Sequence, residues 1–164
     1  MSRKHCPRRV WLPMPPRGMR PRLARDQLTD LALAHLTNLD VMVKGQGDES
    51  LMWQLAEQAL LWSRVADLTG QLQDDMRQQL EVVASVVRRF GTTGRVGYSG
   101  AEYQTAKTGI EVMDQLAELV DKHQAVEAAL WAEQALQDLR TPVEAERLLG
   151  RCAQIRAHAT THPH

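Results

Sequence analysis

The stretch from Ser99 to Arg140 constrains the fold more than any other part of this sequence. Ser99 and Glu102 have the spacing of a capping box, in which each side chain accepts a hydrogen bond from the other residue's backbone N–H. The chain then runs without proline, rich in Ala, Leu, Glu, Gln and Val, until Pro142. Proline disfavours helical geometry in the residue before it. The pattern predicts a single helix of about 60 Å, along which the other helices must pack.

Apolar periodicity on both sides of this stretch predicts further helices. Apolar residues recur at three- and four-residue spacing and predict a helix from about Leu23 or Asp26 to Val43 and another over about 71–90. Between them, a helix opens at Asp48 or Ser50, either of which can cap it, and runs to about Thr69. A last helix starts at Pro142 and runs to about Ala157. In the long helix, Val126 and Leu130 fall on the stripe expected to face the core. The chain has only 4 Trp, 2 Tyr and 1 Phe, so Leu, Ala and Val must fill that core.

The predicted fold is therefore all-α. It is a bundle of four to five helices over residues 23–157, built along the long helix at about 100–140. Residues 158–164 form a flexible tail in this prediction. A helix of this length also favours pairing with a second copy, which would make the protein a homodimer.

Residues 1–22 have a different composition and form a predicted N-terminal arm. Five prolines favour an extended path over a helix. Residues 1–25 carry 8 of the 20 basic side chains and none of the 20 acids, so the remaining 139 residues carry 12 basic and 20 acidic ones. A positive arm on a negative body predicts two alternatives. The arm folds back on its own body or on a second copy, or it binds an anionic partner such as nucleic acid.

Apolar side chains interrupt the positive charge of the arm and make it a candidate docking peptide. Trp11 and Leu12 would be the anchors and Arg8, Arg9 and Arg17 the rim, because Trp and Arg most often dominate the binding energy of interfaces. Two alternatives stay open. The arm is solvated and binds nothing, or its arginines contact the phosphates of a nucleic acid.

Two more residues are candidate partner contacts. Arg95 lies in residues 91–100, a glycine-rich loop before a helix N-terminus, where an anion or a partner can bind. A structural turn is the alternative, because the loop has neither a Walker lysine nor the spacing of a dinucleotide-binding loop. Trp131 is a candidate interface anchor, and an ordinary half-buried tryptophan fits its position equally well.

The sequence contains no recognisable catalytic or metal-binding motif. It lacks His-Glu-x-x-His, Cys-x-x-Cys and a Ser nucleophile with an identifiable base. His35 falls on an apolar helix stripe and is expected in the core. We therefore expect a protein that is not an enzyme and that needs neither cofactor nor metal.

The cysteines and the hydropathy pattern bear on location. Cys6 and Cys152 lie at opposite ends of the chain, which favours a reducing compartment over a structural disulfide. The sequence contains no run of 18 apolar residues, so no membrane-spanning helix is predicted. The expected location is the cytoplasm.

The segment from Arg88 to Gly100, together with the basic arm and the long stretch after it, resembles a family of small proteins from proteobacterial phages and prophages. Some of these are labelled Fis-family regulators. The resemblance covers most of the chain and implies a phage-encoded protein in the cytoplasm of a bacterial host. It brings no catalytic residues with it.

Two functions are expected from these observations. The first is a helical adaptor or inhibitor that binds a host or phage protein, a class that includes inhibitors of bacterial defence systems. The second is a transcriptional regulator that binds nucleic acid through the arm. A C-terminal helix-turn-helix is not supported, because residues 123–157 hold only four arginines against five acids.

Overall fold

The structure, a computed structural model, describes residues 22–161 and places six helices in them. They are α1 (Arg25–Val43), α2 (Glu49–Thr69), α3 (Gln73–Thr93), α4 (Gly100–Leu119), α5 (Lys122–Gln137) and α6 (Pro142–Thr161). The only extended pairings within these residues are two isolated bridges. The all-α class is therefore confirmed. Almost all of the predicted arm and residues 162–164 of the predicted tail lie outside the described residues, whereas residues 158–161 of that tail belong to α6.

The bundle is arranged around α2. Ten residues of α2 are buried, and the helix packs against α3, α4, α5 and α6. The Asp48 side chain caps its start by accepting a hydrogen bond from the backbone N–H of Leu51 at 2.9 Å. Gly70 ends it in a left-handed conformation. Because α2 is buried on more than one side, Trp62 and Trp53 pack into different parts of the core.

The core has two parts that meet along α2. The first lies mainly between α2, α3 and α6, with Leu60, Leu80 and Leu149 fully buried. The second lies mainly between α2 and α4, with Leu116 fully buried in it. α1 packs mainly on α4, and α5 packs on α2. Both helices therefore lie at the outside of the bundle, and each has an outer face.

The single helix predicted over residues 100–140 is wrong, and the bundle has six helices rather than four or five. Between α4 and α5, Val120 is extended (φ −71°, ψ 139°) and fully buried. Asp121 then caps α5. Its carboxylate accepts from the Gln124 N–H at 2.8 Å, and the Gln124 side chain accepts from the Asp121 N–H at 3.2 Å. The homodimer prediction rested on the long helix, and helices of 20 and 16 residues do not support it.

We expect Asp121→Ala to lower the free energy of unfolding by about 1 kcal/mol, because an N–H in the first turn of α5 loses its acceptor. Urea denaturation at pH 7 would measure the change. The matched control is Asp138→Ala at the other end of α5. Loss of this exposed carboxylate should change the free energy of unfolding by less than about 0.5 kcal/mol. Equal losses in the two variants would show that Asp121 does not act as a cap.

α3 and α4 approach each other closely at Gly109. The buried side chain of Gln79 crosses from α3, and its amide Nε2 donates to the backbone carbonyl of Thr105 on α4. A methyl group built at Gly109 would lie 2.0 Å from Cδ of Gln79. Glycine at this position therefore provides the space that the Gln79 side chain occupies.

Candidate partner-binding surfaces

The structure describes two of the seven residues predicted to contact a partner. Arg95 is exposed in the loop between α3 and α4, and Trp131 is half-buried on α5. The backbone N–H of Arg95 donates to the hydroxyl of Thr93 at the end of α3, whereas Trp131 contacts Arg64 of α2, so the two residues do not form one site. The other five lie outside the described residues. They are Arg8, Arg9, Trp11, Leu12 and Arg17.

The loop that carries Arg95 is fixed at several points. Gly94 ends α3 in a left-handed conformation (φ 69°). Val96 is buried, and its backbone pairs with Gly47 in the loop between α1 and α2. A methyl group on Gly47 would lie 2.9 Å from Cβ of Val96, so the two loops touch only because residue 47 is glycine. This arrangement favours the structural-turn interpretation, and the turn is shorter than predicted because α3 extends to Thr93.

A largely buried ion pair holds this loop against α3 and α4. The Glu102 carboxylate accepts from the Arg89 guanidinium at 2.6 and 2.7 Å and from the Ser85 hydroxyl at 2.7 Å. It also accepts from the backbone N–H of Ser99 at 2.6 Å, as the capping box predicts. Burial alone would raise the pKa of Glu102, but the hydrogen bonds from Ser99, Ser85 and Arg89 together lower it to about 2.

Arg95 lines an open groove of about 560 Å³ beside this ion pair. Arg89 also reaches the groove, but its guanidinium is already bonded to Glu102 and to the carbonyl of Gly97. Burial raises the pKa of Tyr98, another lining residue, to about 12, and the charge of Glu102 adds to the shift. The hydroxyl of Tyr98 is therefore protonated at neutral pH. The groove thus presents one exposed guanidinium, that of Arg95, to an approaching partner.

Trp131 is held against the bundle by a side chain of α2. The guanidinium carbon of Arg64 lies 5.9 Å from the ring centroid, and Arg64 also donates to Glu127 at 2.8 Å. Such a cation–π contact contributes roughly 0.5–1 kcal/mol. The ring packs against the core formed by α2, α3 and α6. Trp131 is therefore a fixed, half-buried ring at the edge of α5.

The outer face of α5 exposes two large apolar side chains beside this ring. Val126 and Leu130 are 58% and 52% exposed, and they lie one turn apart on the same side of the helix. On the inner side, the fully buried Ala128 and Ala132 allow α5 to lie close to α2. The surface of Val126, Leu130 and Trp131 is here named the α5 face. Val126 and Leu130 fall on the stripe predicted to face the core, and their exposure contradicts this prediction.

α1 has an outer face of different composition. Its residues recur every three or four positions and so lie on one side of the helix. This α1 face consists of Asp26, Asp30, Leu33, Leu36, Asp40 and Val43, all of them exposed. Leu33, Leu36 and Val43 are 58%, 53% and 58% exposed. The α1 face therefore combines apolar area with negative charge.

His35 lies on the opposite side of α1, in the core, as its position on the apolar stripe predicts. Its ring meets Trp62 edge-on, with 5.7 Å between the ring centroids. Burial lowers the pKa of His35, although the nearby charge of Asp114 acts in the opposite direction. Nδ1 lies 3.8 Å from the Asp114 carboxylate, too far for a hydrogen bond. These contacts describe a neutral core histidine.

Comparisons with known proteins complete the description. Within residues 22–161, no group of three or more His, Cys, Asp or Glu side chains is placed to hold a metal ion. None of the helices described here is long and apolar enough to cross a bilayer. No family model, curated protein or solved structure matches the chain.

Proposed function

We propose that this chain is a non-enzymatic helical protein that acts as an adaptor or inhibitor by binding another protein through the α5 face. The observation that carries the proposal is the exposure of Val126 and Leu130 next to Trp131. Removing apolar surface from water stabilises a complex by roughly 25 cal/mol per Å², so these exposed side chains favour association. Tryptophan is also among the residue types that most often dominate interface energies.

The support behind the α5 face suits it to binding. α5 is capped by Asp121 and packs closely on α2 through Ala128 and Ala132. Trp131 is positioned by Arg64, which is itself held by Glu127. A surface that is ordered before binding loses less conformational entropy when a partner binds. Anchors at positions i and i+4 are typical of a helix that fits into an apolar groove of its partner.

The proposed partner is a protein of a bacterial cell. The resemblance to small phage proteins supports a phage-encoded chain acting in the host cytoplasm on a host or phage protein. Inhibition of a protein that belongs to a bacterial defence system falls within this proposal. Arg95, which lies on a separate surface, would add a charged contact to the same partner.

A second candidate is a regulator that binds nucleic acid through residues 1–25. The eight basic residues of this segment, unaccompanied by any acid, favour it. Binding that neutralises several phosphates weakens steeply as salt rises, because each contact releases counterions. An affinity that does not change with salt concentration would therefore exclude this candidate.

An affinity pull-down from a bacterial lysate, with and without nuclease, distinguishes the two candidates. The bait is the full chain, and the variant is Val126→Asp/Leu130→Asp. The matched control is Ile155→Asp, because Ile155 is an equally apolar residue on α6 and is 69% exposed. We expect one discrete protein that survives nuclease, is retained by the control and is lost with the α5 variant.

Two results would contradict the proposal. Retention of the same protein by the α5 variant would remove the α5 face from the interface. Recovery of nucleic acid, with all captured proteins vanishing after nuclease treatment, would favour the second candidate.

A further inference from the structure

We propose that the N-terminal segment, residues 1–21, docks on the α1 face of its own chain. This surface is separate from the α5 face, so the inference goes beyond the proposed function. It depends on four features of the molecule: the composition of the α1 face, the charge of the two elements, the place where the segment joins the fold, and the order of residues along both.

The α1 face has the apolar area that such docking requires. Leu33, Leu36 and Val43 are each more than half exposed on a helix whose opposite side packs on α4. The N-terminal segment contains matching apolar residues, among them Trp11, Leu12 and Met14. A Trp side chain supplies a large contact area with few rotatable bonds, so it loses little entropy when it binds.

Charge favours the same pairing. Residues 1–21 carry six Lys or Arg and no acid. α1 and α4 together carry seven acids (three and four) against two basic residues, Arg25 and Lys107. Lys44 already bonds Asp40 at 2.5 Å, whereas no ion pair among residues 22–161 involves Asp26 or Asp30. These two carboxylates can therefore accept arginines from the segment.

The point where the segment joins the fold places it beside this face. The backbone of Arg22 pairs with that of Asp121, and its guanidinium donates to the carbonyl of Glu118 at 3.4 Å. The segment therefore leaves next to the start of α1 and beside a groove between α1 and α4. That groove is lined by two acids of α4, Asp114 and Glu118.

The segment is long enough to reach the apolar part of the face. Trp11 precedes Arg22 by eleven residues, which span about 35 Å in an extended chain. At 1.5 Å per residue, Leu33 to Val43 lie about 12–27 Å along α1 from its first residue. The difference leaves sufficient chain for the turn back onto α1.

The order of residues matches along the two elements. Read backwards from Arg22, the segment presents basic residues (Arg20, Arg17), then the apolar run 14–10, then basic residues again at 9 and 8. Read forwards, α1 presents acids at 26 and 30, apolar residues at 33 and 36, and an acid at 40. Docking in this direction brings opposite charges together at the start of α1, where Asp26 and Asp30 have no ion pair among the described residues, and it places the apolar parts of the two elements side by side. Because both elements belong to one chain, the effective concentration is of the order of millimolar.

A spin label on α1 tests the proposal in the full chain. The labelled protein carries Ala34→Cys, at an exposed position bordering the α1 face, and Cys6→Ser, while Cys152 is buried. The readout is the NMR signal of the Trp11 indole N–H, assigned by its absence in Trp11→Phe. We expect the label to remove most of the Trp11 signal. A label at Gln134→Cys, exposed on α5, should leave the Trp11 signal and instead weaken that of Trp131.

Two further samples make the result decisive. Asp26→Lys/Asp30→Lys changes only exposed side chains, so the fold should persist and the Trp11 signal should return. In a mixture of ¹⁵N chains without the spin label and spin-labelled chains without ¹⁵N, the Trp11 signal should not be reduced. Loss in the mixture would mean that the segment docks on a second copy, and it would overturn docking within one chain. An unchanged Trp11 signal with the label at position 34 would overturn the proposal altogether.

Discussion

Gly109→Ala should lower the free energy of unfolding by about 1–3 kcal/mol, although alanine is the better helix former. The new methyl group would lie 2.0 Å from Cδ of Gln79 and 2.0 Å from its Nε2. The Gln79 side chain must then move, and its hydrogen bond to the Thr105 carbonyl is lost in a buried place. A buried amide without a partner adds to the cost of the steric clash.

Gly150→Ala on α6 is the matched control, and the opposite sign is expected. No atom lies within 4 Å of a methyl group built at Gly150. Alanine should therefore raise the free energy of unfolding by up to about 1 kcal/mol, the usual gain for this change within a helix. Urea denaturation of the two variants and the parent chain would measure both effects. Stabilisation by both substitutions would contradict the close packing of α3 on α4 at Gly109.

Glu102→Gln should destabilise the protein by about 2–3 kcal/mol at pH 7, because Arg89 loses the carboxylate that compensates its charge. A fall in the pKa of Glu102 from 4.5 to about 2 corresponds to about 3 kcal/mol, which is an upper limit for the ion pair because the hydrogen bonds from Ser99 and Ser85 also lower the pKa. The Glu102 side chain is 13% exposed and that of Arg89 is 33% exposed, so solvent screens the ion pair in part. Glu111→Gln, at an exposed position on the same helix, should change stability by less than about 0.5 kcal/mol.

The same carboxylate predicts a dependence on pH. The pKa of Glu102 is lower in the folded than in the unfolded protein, so its contribution to stability is complete above about pH 4.5 and is lost as the pH falls towards 2. The parent chain should therefore lose stability over this interval more steeply than Glu102→Gln does. Urea denaturation at several pH values in that interval would measure the difference. Parallel curves would show that the charge of Glu102 contributes little to stability.

The sequence predicted the fold class, both ends of α1 and α2 and the starts of α4 and α6, because those depend on local patterns. The apolar periodicity of α1 and α2 and the capping signals at Asp48 and Ser99 all correspond to the structure. The break at Asp121 was also present in the sequence, as an Asp followed three residues later by Gln. Neither proline nor glycine marks this break, so helix-breaking residues do not reveal it.

The candidate surfaces were harder to predict than the helices. A new helix starts at Asp121, so the apolar stripe of α4 does not indicate which side of α5 faces the core. The prediction that Val126 and Leu130 face the core is wrong for this reason. The pairing of Arg89 with Glu102 joins two helices across a loop, and no sequence spacing reveals it. Val96 is buried while its neighbour Arg95 is exposed, and the burial of Val96 against another loop is a property of the tertiary structure.

The peripheral position of α1 has a consequence for how the molecule opens. α1 packs mainly on α4, whereas α2, α3 and α6 pack on one another. A segment that packs mainly on one neighbour can detach at a free energy below that of global unfolding, so its amide hydrogens exchange through local opening. A ligand that binds only the attached form lowers the population of the open form by mass action. Whatever occupies the outer side of α1 would thus control how often the core around His35 meets water.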